Sequence, residues 1–256
     1  MSTYRTLDPS KITATLEKLE QRIRERFPEA GLLRLAGEIA AVARRASGRV
    51  EVIERPILAY RAATGGLLVA GLALLLLLAR SLDYNRIADT PYSVLQGIDA
   101  GFNIIVLIGA GLLFVWRLER AARRDAALKD LHELRSLIHV IDMHQLTKDP
   151  GMSTAPGPRT SSSPHRFMTP FELTRYLDYC SELLSLTAKI AALYAQSARD
   201  AVVISTVNDL EQLAANLSEK IWQKIGLVHG VDAGPERTAK PAVSPPVTAA
   251  QDKRSP

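Results

Sequence analysis

The sequence predicts an all-α fold: a two-pass transmembrane helical hairpin that carries cytosolic amphipathic, coiled-coil-like helices. Three observations predict it. Two long apolar blocks hold no charge, basic residues crowd their outer flanks rather than the loop between them, and elsewhere apolar residues recur at helical spacing among charged ones.

The first block, Ala62 to Ala79 between Arg61 and Arg80, has 18 residues, eight of them leucine, and Thr64 as its one hydrogen-bonding side chain. As a helix it is about 27 Å long, close to the thickness of a bilayer core. The second, Ala100 to Trp116 between Asp99 and Arg117, has Asn103 as its one polar member. We assign spans to residues 61–80 and 99–117, with an extracytoplasmic loop at 81–98. Uncharged runs of this length argue against buried helices of a soluble protein. The polar stretch before the first block argues against a cleaved signal peptide.

Orientation follows from the basic residues. Arg44, Arg45, Arg49, Arg55 and Arg61 precede the first span, and Arg117, Arg120, Arg123, Arg124, Lys129 and Arg135 follow the second, whereas the stretch between, Arg80 to Asp99, sets two arginines against Asp83, Asp89 and Asp99. Positive flanks stay inside. The expectation is a multi-pass protein of the bacterial inner (plasma) membrane with both termini cytoplasmic. Arg61, Arg117, Arg120, Arg123 and Arg124 are the expected contacts to anionic lipid headgroups, and they account for the net charge of +5 without nucleic acid.

Residues 1–60 read as cytosolic amphipathic helices in two pieces divided at Phe27 to Gly31. The first has Ser10 as its cap and Ile12, Leu16, Leu19 and Ile23 as its stripe. The second has Leu32, Leu35, Ile39 and Ala43, with a break expected at Gly48. In the inter-span loop, Asp89, Thr90 and Pro91 form a helix-start signature. Since no glycine or proline lies between Gly111 and Pro150, the second span is expected to run on through residues 118–148, as far as Leu146.

A flexible linker is expected at 149–169. Thr169, Pro170 and Glu172 then make a capping box that opens a helical segment at 170–228. Its stripe, Leu173, Leu177, Cys180, Leu184, Tyr194, Val207, Leu210, Leu217 and Ile221, loses a repeat of about 3.5 residues near Ala201. An antiparallel pair is preferred over one stuttering helix. Residues 229–256 lack apolar periodicity and are expected to form a disordered tail.

No phosphate-binding glycine loop, nucleophile elbow, paired-cysteine or zinc-protease motif occurs, so no catalytic residue and no cofactor is assigned. Cys180, the sole cysteine, sits in an apolar stripe and reads as a buried structural thiol. The sharpest cluster is Leu131 to Pro150, which holds three of the five histidines. On a helical wheel Leu131, Leu134, Leu137, Ile138 and Ile141 fall in an arc of about 120°, with His132, Arg135, Ser136, His139, Asp142 and Met143 opposite. His144 lies away from the other two histidines. His132 and His139 are about 10.5 Å apart along the axis, too far to share a zinc ion. Only His139 and Asp142 remain as weak metal candidates. The face reads either as solvated polar surface or as a specific interface through His132, Arg135, His139 and Asp142. In the spans, Ala62, Gly66 and Ala70, with Gly109 and Gly111, offer small-residue packing faces.

The function expected is a non-enzymatic membrane protein whose cytosolic helices assemble with themselves or with a partner protein. The alternative is an oligomeric pore or channel-like subunit. Absence of intramembrane charge argues against an ion-coupled transporter.

Overall fold

The computed structural model describes residues 6–54, 57–81, 91–148, 150, 168–198 and 200–232. Residues 82–90 of the loop expected at 81–98, most of the linker and the tail beyond Asp232 lie outside the described residues. Within them the chain is helical, without a strand.

Helix α1 (Pro9–Arg26) is capped by Asp8, whose carboxylate accepts the Ser10 backbone N–H at 2.9 Å. This corrects the expected cap at Ser10. Proline has no N–H to offer and suits the first helical position, so the capping oxygen comes from the residue before Pro9. Hydrogen bonds from the Ser10 hydroxyl and backbone hold the Asp8 carboxyl below its ordinary range. Helix α2 (Gly31–Glu54) continues through Gly48, where a break was expected. Ala46 beside it is buried, and Arg49 just after it reaches Asp130 at 2.7 Å, contacts that outweigh a mid-helix glycine's cost of about 1 kcal/mol.

Helix α3 (Leu58–Ser81) and helix α4 (Pro91–Leu146) contain the two apolar blocks, and both are long and apolar enough to cross a membrane. Among the described helices α3 packs on α4 alone. Most of their leucines, isoleucines and valines are exposed, Leu107 at 72% and Val69 at 69%. Helix α4 is one uninterrupted element of 56 residues, about 84 Å long. Its first half carries the exposed apolar block and its second half enters the core.

Helices α5 (Pro170–Ser197) and α6 (Ala201–Asp232) are the expected pair. Thr169 and Glu172 form the capping box, with the Glu172 N–H donating to the Thr169 hydroxyl at 3.2 Å and the Thr169 N–H to the Glu172 carboxylate at 2.8 Å. Between the pair, Asp200 accepts from the N–H groups of Val202 and Val203, which opens α6. Helix α6 runs to Asp232, a little past the expected end at 228.

One core joins these elements. Helix α5 is its centre, touching α1, α2, α4 and α6. Leu16, Leu19 and Ile23 meet Leu32, Ile39, Leu177, Leu183 and Ile190 there. From α4 come Leu131, Leu134, Ile138 and Ile141, each fully buried and each worth about 1.5–3 kcal/mol on transfer from water. That is the stripe read from the wheel, with Leu137 packed at its edge.

Candidate interface on helix α4

Because the buried stripe fixes the rotation of α4, it also fixes which residues face out. His132, Arg135, Ser136 and His139 are exposed. Beside them lie Val140 at 40%, Met143 at 67% and Leu146 at 60% exposure. Sequence reasoning grouped Met143 with this face but gave the apolar members no weight. A helix face that mixes exposed Met, Leu and Val with histidines and an arginine has the makings of a contact surface, since scattered single apolar residues alone signify little.

Asp142 does not stand with His139. Its carboxylate accepts from the Gln145 amide nitrogen at 2.5 Å, and Gln145, only 2% exposed, accepts from Lys224 of α6 through its side-chain oxygen at 2.5 Å and its backbone carbonyl at 3.1 Å. Asp142 therefore anchors a structural relay between α4 and α6. Its carboxylate serves packing where a metal ligand or an interface residue had been expected. Among the described residues no group of three or more histidine, cysteine, aspartate or glutamate side chains is arranged to hold a metal ion.

His144 points inward. Its ring lies against Gly31, where an added Cβ would come within 2.8 Å of Cε1, and its Nδ1 is 3.4 Å from the Tyr176 hydroxyl. It lines a cavity of about 470 Å³ with Phe27, Met168 and Lys148. Burial, then the charges of Lys148 and Arg34, push its pKa below the ordinary 6.5.

A second polar link escaped the sequence altogether. Asp130, 7% exposed, accepts from Arg49 of α2 at 2.7 Å and from the Tyr194 hydroxyl of α5 at 3.1 Å. Burial, then the Asp130 charge, raises the Tyr194 pKa. The available signal was a carboxylate at the edge of an apolar stripe. Together the two links clamp α4 to α2, α5 and α6.

The small residues of the spans divide differently from expectation. Gly111 packs against the Leu67 side chain and Gly71 against Ile108, where added Cβ atoms would come within 2.7 and 2.3 Å. Gly66 and Gly109 have open space beside them, and Ala62 and Ala70 are exposed. Gly111 thus serves α3–α4 packing, while Ala62, Gly66, Ala70 and Gly109 do not. On α3 the glycine in close contact with α4 is Gly71, which lies beyond the predicted face.

Of the arginines that flank the apolar blocks, Arg61, Arg117 and Arg120 are exposed, with the Arg120 guanidinium 4.8 Å from the Trp116 ring. Arg123 is paired with Glu119, which also accepts the Ile57 N–H at 3.1 Å, and Arg124 is near Asp125 at 3.4 Å.

No family model, curated protein or solved structure matches this chain.

Proposed function

We propose that this chain is a non-enzymatic, two-pass protein of the bacterial inner membrane that assembles through the outer face of α4. The observation that carries the reading is the continuity of α4. One rigid helix joins an exposed apolar half to a half clamped into a core, and on that second half Met143, Leu146 and Val140 stay exposed beside His132, Arg135 and His139. Copies held in one bilayer with both termini cytoplasmic present this face in parallel, so the anchor supplies the orientation and the high local concentration that weak surfaces need. Arg61, Arg117 and Arg120, with Trp116 among them, suit the headgroup layer on the cytoplasmic side.

The test is crosslinking in native membranes. In a Cys180→Ser background, His139→Cys is treated with a short bismaleimide; a dimer or a discrete partner adduct is expected, and Gln212→Cys on the outside of α6 should yield none. A chain that runs as a monomer in mild detergent and gives no adduct from position 139 overturns the proposal.

A further inference from the structure

Where α5 begins and α6 ends, Phe171, Thr174, Arg175 and Trp222 line a groove of about 330 Å³. Trp222 is 60% and Phe171 56% exposed, an uncommon outlay of aromatic surface. Phe171 is held in place by the guanidinium groups of Arg26 and Arg175, at 5.2 and 5.7 Å from its ring. The Thr174 hydroxyl is buried and has no hydrogen-bond partner among the described residues.

We infer that this groove binds the chain's own proline-rich segment, residues 239–247, docked back onto the α5–α6 pair. A proline-rich strand presents ring faces and backbone carbonyls while lacking many N–H donors. The groove offers the complement: an indole face with its N–H and a guanidinium. Aromatic-lined grooves of this chemistry are a recurring way to bind such segments. Lys240, immediately before Pro241, is opposite in charge to Asp178 on the groove wall, which already pairs with Arg175 at 3.2 Å.

Reach selects the occupant. His229 lines the groove, α6 ends at Asp232, and Pro241, Pro245 and Pro246 follow. The stretch from His229 to Pro241 spans up to about 40 Å when extended, ample to turn back on the groove. Tethering also gives an effective concentration of about millimolar, which a separate partner would have to exceed.

The chain has two tryptophans, so Trp116→Phe leaves Trp222 as the only reporter. Acrylamide quenching of that full-length protein in detergent is compared with a chain ended after Asp232 and with a variant carrying Pro241→Ala, Pro245→Ala and Pro246→Ala. Higher quenching is expected in both, reversed by a synthetic peptide of residues 238–248. The proline variant keeps chain length, so it tests the contact even where truncation disturbs α6. Equal quenching in the full-length and proline-variant chains overturns the inference. So does protection that vanishes on dilution, because docking then occurs between copies.

Discussion

Lys224 of α6 donates to both oxygens of Gln145 on α4, the side-chain one at 2.5 Å and the backbone one at 3.1 Å. The ammonium thereby holds together two helices whose contributing residues lie 79 positions apart. Gln145 passes the link on to Asp142.

Lys224→Met keeps the length of the stem and removes the donor. It leaves the buried Gln145 oxygens without that partner, at an expected loss of about 1–3 kcal/mol in unfolding free energy. Gln145→Leu removes the side-chain acceptor and keeps the backbone carbonyl, so a second Lys224→Met change should cost less than it does alone. A double-mutant cycle by denaturant unfolding checks this: a coupling energy near zero would show that the contact carries no stability.

Among the described residues Asp130 accepts from Arg49 and Tyr194, and Tyr194→Phe removes the second donor while keeping the ring in the core. The expected loss is about 1 kcal/mol, read from the denaturant midpoint. Arg49→Met should be the costlier change, because it withdraws the opposite charge from a carboxylate that is 7% exposed. Equal stabilities for the two variants would contradict this ranking.

What the sequence discloses and what it withholds follow from the range of the interactions. The two apolar blocks, the unbroken run from Gly111 to Leu146, the Leu131 to Ile141 stripe and the Thr169 capping box are all local patterns, and the helices carry them. The cap at Asp8 was within reach too, since Pro9 leaves no other residue well placed for it. Gly48 misleads because the Arg49 to Asp130 bond that stabilises its helix comes from 81 residues away. For Asp142, spacing offers His139 and Gln145 equally, and only Lys224, which meets Gln145 from 79 positions away, shows where its carboxylate is used. His144 could be separated from the other histidines by the wheel, but its seat against Gly31 depends on how α2 and α4 dock.

Cys180 is fully buried, and desolvation pushes its thiol up to about 12. The thiolate, which is the reactive species, is then scarce at neutral pH. The native protein should resist maleimide labelling, with one equivalent incorporated after unfolding. Fast labelling of the folded chain would show that α5 opens locally.

Gly71→Val should disturb the α3–α4 pairing, because a Cβ there meets Ile108 at 2.3 Å and overpacking of this kind costs about 1–3 kcal/mol. Gly66→Val, on a helix surface with open space beside it, should leave thermal stability in detergent unchanged. If the two variants behave alike, the helices approach through a different face.

His144 gives stability a dependence on pH whose sign can be worked out. Its folded pKa lies below the ordinary 6.5, through burial first and then the Lys148 and Arg34 charges. On acidification the unfolded chain therefore takes up the proton before the folded one does. The contribution is complete above about pH 6.5 and is lost as pH falls from there through the folded pKa. A protonated imidazole would sit against Gly31 and beside Tyr176, with Lys148 and Arg34 as like charges. The unfolding midpoint should fall between neutral pH and about 5.5, and His144→Asn should flatten that part of the profile. Because the ring is only partly buried, solvent screening keeps the slope shallow. A wild-type profile that is flat, or one that His144→Asn leaves unchanged, would remove His144 as its source.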